Sequence, residues 1–230
     1  MKLVVLSGSG ISAESGIQTF RGKGGLWEGQ PVHEVATPEA WIENPQKVLK
    51  FYNERRAGII QAKPNPGHYA LVELEKHFDV YIITQNVDDL HERAGSSKIL
   101  HLHGEIRKSR STLYSDAIYD ISGESLNWGD ACPKGHQLRP HIVWFGESVE
   151  AMPEAESICQ KADLLIVTGT SLQVYPANLL VYEAPKSCPI FVVDPEAPKL
   201  QKSKHIVEYI RLPASIGLPE LTQHLIQKFS

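Results

Sequence analysis

Short apolar runs alternate with longer helix-like stretches along this chain. The runs are too short for typical helices and are rich in β-branched residues, as strands covered on both faces must be. The predicted strands are Leu3–Leu6, Val80–Thr84, Ile99–Leu102, Ile142–Trp144, Leu164–Thr168, Ile190–Val193 and Ile206–Ile210. The predicted helices are Pro45–Gln61, Gly67–His77, Pro153–Lys161, Pro176–Glu183 and Leu218–Phe229. This alternation predicts an α/β protein with a parallel sheet.

Two stretches interrupt the alternation. Arg107–Pro140 is rich in Ser, Asp, Gly and Lys with little periodicity, and Gly22–Trp41 separates the first glycine turn from the following helix. We expect the two to pack together as a small lobe beside the sheet. The chain is then one domain, with a large lobe of about residues 1–21, 62–106 and 141–230 and a small lobe of about residues 22–61 and 107–140.

Composition and charge narrow the class of protein. Of 230 residues, 42% are hydrophobic and 22% are charged, which excludes disordered and low-complexity classes. The net charge of −4 gives no basic field for a nucleic-acid backbone. No segment approaches the ~18 apolar residues that span a membrane, and the N-terminal run is too short for a signal peptide. Three separated cysteines, Cys132, Cys159 and Cys188, favour a cytoplasmic protein without a disulfide framework.

A glycine turn, Gly8-Ser9-Gly10-Ile11-Ser12-Ala13, directly follows the first predicted strand. Such a turn lets the backbone approach a pyrophosphate, although a plain tight turn has the same pattern. A dehydrogenase-type domain needs an acidic residue at the end of a second strand about 20 residues on. That position falls in Gln18–Gln30, which is not strand-like, so the surroundings argue against hydride transfer.

Five ordered blocks together resemble the signature of the sirtuins, the NAD-dependent protein deacylases. They span nearly the whole chain. The blocks are Gly8–Gly22, Thr84–His91, Leu102–Gly104, Val143–Glu147 and Gly169–Ala177. The resemblance implies a Rossmann-like large domain and a small lobe.

The resemblance also implies the reaction. NAD is consumed: the amide oxygen of an acyl-lysine attacks C1′ of the nicotinamide ribose as nicotinamide leaves. A base then activates a ribose hydroxyl, which attacks the imidate carbon, and the products are lysine, nicotinamide and an O-acyl-ADP-ribose. The implied partners are acylated-lysine proteins, and we expect neither nucleic acid nor membrane. The sequence is compatible with a monomer and does not fix the oligomeric state.

The resemblance implies catalytic roles for His103, Asn86 and Asp88. An imidazole is largely neutral at physiological pH, so His103 suits the base. His101 competes for that role, because residues two apart in a strand face one side. His103 is preferred because the His-Gly pair matches the family.

Further residues are implied to bind the cofactor, including Asn86 and Asp88. Phe20 would shield C1′ from water, and Arg21 would meet a phosphate. Asp194 stands where an Asn often meets the adenine ribose, and Ala214 matches a backbone contact to adenine only loosely. The remaining cofactor-binding candidates are Gly8, Ser9, Gly10, Ser12, Ala13, Thr19, Trp27, Gln85, Gly169, Thr170 and Ser171.

Two groups of residues are implied to bind the substrate. The Val143–Glu147 block would pair with an extended peptide by strand addition, through Val143, Phe145, Gly146 and Glu147. Tyr52 and Arg55 lie three residues apart on a predicted helix and so share a face. The pair resembles that of sirtuins which remove succinyl and malonyl groups, with Arg55 meeting the acyl carboxylate.

The sequence departs from the family at the zinc site. Sirtuin small lobes commonly hold zinc with two Cys pairs. Here Arg107–Tyr114 contains no Cys, and the second region, Cys132–His136, contains one Cys and a displaced His. We therefore expect no metal and a small lobe held by packing alone, through Leu113, Tyr114, Ile118, Tyr119 and Trp128.

Two other functions remain open. The same pocket suits an NAD glycohydrolase or ADP-ribosyltransferase, which needs no acyl pocket, so that Tyr52 and Arg55 disfavour it. A non-catalytic NAD-binding module is the third possibility, and intact His103, Asn86 and Asp88 argue against it.

Overall fold

The computed structural model describes residues 1–20, 31–196, 198, 200 and 205–229. The strands in these ranges are β1 (Lys2–Ser7), β2 (Asp79–Thr84), β3 (Ile99–His101), β4 (Gly104–Ser111), β5 (Ile118–Asp120), β6 (Leu138–Ile142), β7 (Leu164–Thr168), β8 (Ile190–Val193) and β9 (Val207–Ile210). The α-helices are α1 (Val32–Val35), α2 (Pro38–Glu43), α3 (Pro45–Gln61), α4 (Pro66–Leu74), α5 (Leu90–Ala94), α6 (Met152–Cys159) and α7 (Ala214–Phe229). Two 3₁₀ helices cover Ser9–Ser15 and Ala177–Tyr182.

The main sheet has six parallel strands in the order β3-β2-β1-β7-β8-β9. Every residue of β7 and β8 is buried, which explains why these segments are apolar throughout. From β1 the order runs outward through β2 to one edge and through β7 to the other. This reversal leaves a crevice above the carboxyl ends of β1 and β7, where open α/β sheets bind ligands.

Helices cover both faces of the main sheet. On one face α6 and the second 3₁₀ helix contribute Ala155, Cys159 and Leu180 to the core. On the other face α4 and α7 contribute Leu71 and Leu218. The predicted parallel α/β fold is confirmed.

A second, antiparallel sheet has the order β5-β4-β6, with a register shift in β4 between Gly104 and Ser109. Its strands overlap Arg107–Pro140, the stretch of little periodicity for which a small lobe was expected but no strand was predicted. The predicted strand at 142–144 is wrong, because β6 starts at Leu138 and ends at Ile142. The proposed boundaries of the two lobes stay a prediction.

The core under the second sheet differs from the expected one. Leu113, Ile118 and Trp128 were expected to hold it but are 61%, 44% and 56% exposed. The buried cluster instead consists of Leu49, Ile121 and Leu126, with Trp41 and Leu138 packed against it. Aromatic and branched residues in a short, one-sided sheet have no period that tells the covered face from the open one.

The helix α3 confirms its prediction residue for residue. The Asn44 side chain accepts a hydrogen bond from the Lys47 amide at 3.0 Å, and Pro45 occupies the first turn, where its missing N–H costs nothing. One face of α3 buries Val48 and Tyr52 against the core between the two sheets. Tyr52 is thereby placed toward the crevice.

Candidate active site

A cavity of about 800 Å³ opens at the carboxyl edge of the main sheet. The predicted site residues that line it are Gly8, Ser9, Gly10, Ala13, Thr19, Phe20, Tyr52, Gln85, Asn86, His103, Val143, Phe145, Gly146, Glu147, Gly169, Thr170, Ser171, Asp194 and Ala214. Ser12, Arg55 and Asp88 are not part of the lining. Arg21 and Trp27 lie outside the described residues. The structure thus brings most of the predicted residues together from loops far apart in sequence.

The glycines after β1 and β7 let two loops pack backbone on backbone. The Gly10 amide donates to the Gly169 carbonyl at 2.8 Å. A Cβ on Gly10 would lie 2.6 Å from Gly169 Cα, and one on Gly169, whose φ is +61°, would lie 2.3 Å from the Ile11 nitrogen. Any larger residue would push the loops apart. The glycine pattern therefore builds the floor of the crevice.

Asn86, Ser12 and Asp88 form a buried hydrogen-bonded chain, with Asn86 in the cavity wall and the other two outside its lining. Asn86 Nδ2 donates to Ser12 Oγ at 3.1 Å, and Ser12 Oγ donates to Asp88 Oδ2 at 3.0 Å. Asp88 Oδ1 accepts from the Leu90 amide at 3.2 Å. Burial raises the pKa of Asp88, and its two hydrogen bonds oppose the increase. Asn86 Oδ1 is buried without a hydrogen-bond partner in the described chain, so it is an acceptor available to a ligand.

The two candidate histidines occupy different settings. His103 Nδ1 lies 3.1 Å from the Gln85 carbonyl oxygen, so Nδ1 carries the proton and Nε2 keeps its lone pair. Burial lowers the pKa of His103, with the Gln85 bond opposing it. His101 has both nitrogens occupied, at 2.9 Å from the Asn86 carbonyl oxygen and 2.7 Å from Glu92 Oε1. Only His103 lines the cavity and has a nitrogen able to accept a proton.

Tyr52 and Arg55 lie on the buried side of α3. The Tyr52 hydroxyl accepts from Trp144 Nε1 at 3.1 Å, and burial raises the pKa of Tyr52 to about 12. The Arg55 guanidinium carbon lies 4.7 Å from the Phe20 ring centroid and 5.8 Å from that of Phe51. Arg55 Nε is buried with no hydrogen-bond partner in the described part of the chain. Burial lowers the pKa of Arg55 to about 10, so this cation is desolvated without a contacting carboxylate.

The segment Val143–Glu147 forms one wall of the cavity but belongs to no strand. The Val143 amide donates to the His103 carbonyl and the Phe145 amide to the Ala36 carbonyl, each at 3.0 Å. These two amides are therefore occupied within the chain. Pairing of this segment with an extended peptide stays a prediction.

The Glu147 carboxylate serves the fold. Its oxygens lie 2.7 Å from Arg139 Nη1 and 3.1 Å from Arg110 Nη2, and one accepts from the Trp144 amide at 2.8 Å. Burial raises the pKa of Glu147, but the hydrogen bonds from Arg139 and the Trp144 amide and the charges of Arg139 and Arg110 together outweigh it, and the net direction is down. These contacts join β4 and β6 to the cavity wall. No signal in the sequence distinguished this role from peptide binding.

Sequence reasoning missed several residues at the site. Gln173, Val193 and Pro213 line the cavity, and the Glu92 contact to His101 lies behind it. Apolar and proline positions at strand ends carry no motif. Glu92 is on a five-residue helix too short to show a helical period.

The residues at the expected zinc site do not form a tetrahedral donor set. Cys132 Sγ lies 3.6 Å from Ser111 Oγ, and the amides of Leu113 and Tyr114 also donate to that oxygen. The His136 ring packs edge-on against Tyr114 at 5.5 Å. Within the described ranges no three His, Cys, Asp or Glu side chains are grouped to hold a metal. Ser111 is the last residue of β4 and lies in the region where the family carries its first Cys pair, so a hydroxyl stands there and not a thiol.

The fold and the cavity define an α/β protein with a ligand site at the switch point of a parallel sheet. The family model described as the Sir2 family matches residues 8–176. The chain therefore belongs to the Sir2 family.

Known relatives match almost end to end. One from Helicobacter pylori, called NAD-dependent protein deacylase, is 52% identical over an alignment of 231 positions that covers 99% of this chain and 99% of that protein. A second of the same name, from Bacteroides thetaiotaomicron, is 48% identical over an alignment of 229 positions that covers 97% of each chain.

Solved structures agree with the fold. A Sir2 homologue in complex with NAD superposes with a TM-score of 0.89 at 38% identity, covering 100% of this chain and 91% of the other. A Sir2 protein with a p53 peptide and NAD⁺ gives a TM-score of 0.78 at 29% identity, covering 98% and 92%. Among the residues described here, no helix has the length and apolar character needed to cross a membrane.

Proposed function

We propose that this chain is an NAD-dependent protein-lysine deacylase that transfers the acyl group from lysine to ADP-ribose. The observation that carries the proposal is His103 in the cavity wall, with Nδ1 bound to the Gln85 carbonyl and Nε2 able to accept a proton. The names of the relatives support NAD as the cosubstrate and acylated protein as the partner.

The cavity fits NAD in size and in chemistry. Its volume of about 800 Å³ suits a dinucleotide beside an acyl-lysine chain. The unpartnered Asn86 Oδ1 suits the amide N–H of a carboxamide, and the Asp194 carboxylate suits ribose hydroxyls. When bound, NAD supplies an electrophilic C1′ with nicotinamide as its leaving group.

The residues of the chain supply binding, orientation and a base. Ser12 and Asp88 fix Asn86 from behind, so its amide is held before the ligand arrives. Phe20 lines the cavity, and its role in this proposal is to exclude water from the reacting carbon. His103 takes the proton of a ribose hydroxyl at Nε2, while its Nδ1–H remains on the Gln85 carbonyl.

We propose that acidic acyl groups, succinyl and malonyl, are substrates alongside acetyl. Arg55 is a desolvated cation without a contacting carboxylate in the described chain, so a substrate carboxylate would complete it. The Tyr52 hydroxyl accepts from Trp144, and its own proton is available as a second donor. Before a substrate binds, the cation–π contacts of Arg55 with Phe20 and Phe51 hold its guanidinium group in place.

We also propose that the second sheet folds without zinc. The Ser111–Cys132 contact and the Glu147 ion pairs with Arg110 and Arg139 take the place of a metal staple. Three buried, unpaired cysteines suit a reducing compartment, and we place the protein in the cytoplasm on that ground.

Nicotinamide release tests the activity against the alternatives. The expected result is release that depends on an acyl-lysine peptide and produces free lysine in equal amount. An NAD glycohydrolase would release nicotinamide without peptide and leave the lysine acylated. A non-catalytic binding module would bind NAD in calorimetry and release no nicotinamide. Either result contradicts the proposal.

A further inference from the structure

His101 sits at the end of β3 with both ring nitrogens on acceptors. Nδ1 lies 2.9 Å from the Asn86 carbonyl oxygen, and Nε2 lies 2.7 Å from Glu92 Oε1. Neither a carbonyl nor a carboxylate can donate a proton, so the ring donates from both nitrogens. Only an imidazolium does this. The side chain of His101 is 9% exposed, and that of Glu92 is 39% exposed.

The carbonyl that His101 binds belongs to the loop after β2 that carries Asn86 and Asp88. The preceding carbonyl, that of Gln85, accepts from His103 Nδ1 at 3.1 Å. Two consecutive carbonyls are thus held by two histidines from the chain just before β4. His103 therefore has Nε2 available to accept a proton, whereas both nitrogens of His101 are engaged in hydrogen bonds.

The charges around His101 favour its protonated form. Glu92 and His91 face it from α5, Asp88 from the loop, and Glu105 from β4, while Lys108 acts on Glu92. Burial lowers the pKa of His101, but the hydrogen bond and charge of Glu92 outweigh it, and the net direction is up. Burial raises the pKa of Glu92, but the hydrogen bond and charge of His101, with smaller contributions from a backbone amide and Lys108, together outweigh it, so the pKa moves down overall. A raised pKa of His101 and a lowered pKa of Glu92 are both what an ion pair between the two side chains produces.

We propose that His101 is a positioning residue that, with Glu92 as counter-ion, anchors the loop carrying Asn86 and Asp88 in the orientation used for deacylation. For its effect on turnover, this inference rests on the proposed function. A cation at this place also opposes the increase that burial causes in the pKa of Asp88, and so helps keep the buried carboxylate ionised.

The pH profile of the Glu92→Gln variant separates positioning from simple stabilisation. His101 has a raised pKa, so the anchor is present below that pKa and is lost as the pH rises through it. Gln still accepts from Nε2 but removes the charge. We expect the alkaline limb of kcat to move down by about one pH unit, a tenfold loss on that side, with the acid limb unchanged. We expect Glu92→Asp, which keeps the charge, to return the alkaline limb of kcat to its wild-type position.

The matched control is Glu73→Gln. It removes the same charge from the exposed Glu73–Lys76 pair at the end of α4, and its profile should coincide with the wild type. A Glu92→Gln profile that is unchanged, or lowered by one factor at every pH, would overturn the inference.

Hydrogen exchange without NAD gives a second readout. The Asn86 amide donates to Thr84 Oγ1 at 3.0 Å and the Leu90 amide to Asp88 Oδ1 at 3.2 Å, so both report the loop. In His101→Gln we expect exchange at these amides to be about tenfold faster, with the central strands unaffected. Unchanged exchange would contradict the anchoring. A wild-type chain that releases no nicotinamide would contradict the proposed function alone, because the exchange experiment does not depend on turnover.

Discussion

At the scale of single residues, His103 and Arg55 share one property: each is desolvated, and neither contacts a residue of opposite charge in the described chain. Burying these two side chains in this state lowers the stability of the fold. Burial disfavours the charged imidazolium, so His103 is held neutral with a nitrogen that can act as a base. A buried guanidinium without a counter-ion gains by meeting an anion. Each side chain is therefore in the state that the proposed reaction uses.

The acid limb of activity should belong to His103. Burial lowers the pKa of His103 below its ordinary value of 6.5. The base works only when neutral, so kcat/KM should hold down to pH 6.5 and fall as the pH drops through the lower value. Initial rates between pH 5 and 8 check this, with His224→Asn, an exposed change on α7, as the control. An acid limb centred above 6.5 would assign the base elsewhere.

Arg55→Met should separate acidic from neutral acyl groups. The loss of a charge-assisted contact to the succinyl carboxylate predicts a drop of about 100-fold in kcat/KM for succinyl-lysine peptides, against less than about threefold for acetyl-lysine. Arg55→Lys keeps the charge without the planar fork and should fall between the two. Equal losses on both peptides would show that Arg55 only supports α3.

At the scale of elements, long regular segments were predictable and short ones were not. The helix Pro45–Gln61 and the apolar strands follow from capping, length and complete burial. The helices α1, α2 and α5 have four to six residues, less than two turns, so they show no period. In the second sheet β5 has only three residues, and the pairing of β4 with β6 has a register shift between Gly104 and Ser109, so the alternation of a regular strand is not visible in the sequence.

The backbone contact between the loops after β1 and β7 should tolerate no side chain. Gly169→Ala places a Cβ 2.3 Å from the Ile11 nitrogen at a φ of +61°. Gly123 also has a positive φ, +79°, but nothing lies within 4 Å of its Cβ position, so Gly123→Ala isolates the backbone strain. We expect Gly123→Ala to lower the free energy of unfolding by about 1–2 kcal/mol and Gly169→Ala by about 2–3 kcal/mol more. Urea unfolding measures both, and equal losses would contradict the packing argument.

At the scale of the whole molecule, our proposal that no zinc is bound requires the second sheet to keep its position beside the cavity without a metal. Plasma emission analysis should find zinc well below one equivalent per chain. EDTA should leave the melting temperature unchanged, because the described residues provide hydrogen bonds and ion pairs in place of a ligand set. Stoichiometric zinc, together with a lower melting temperature in chelator, would show that a donor set exists after all.

Much of the candidate site could be predicted because its residues follow strand ends in recognisable blocks. Gly8, Gln85, His103 and Gly169 come from four separate segments and line one cavity. The sequence could not show which side chains the charged residues at the site contact. The assignment of Glu147 to ion pairs and of His101 to Glu92 depends on contacts between residues distant in sequence.

Mass spectrometry of a single reaction mixture tests the central claim most directly. The wild-type protein with NAD and a succinyl-lysine peptide should yield equal amounts of free lysine peptide, nicotinamide and O-succinyl-ADP-ribose. His103→Asn should lose about 10²–10⁴-fold in the rate of all three while still binding NAD. Free lysine formed without an O-acyl-ADP-ribose, or formed equally fast by His103→Asn, would contradict the account.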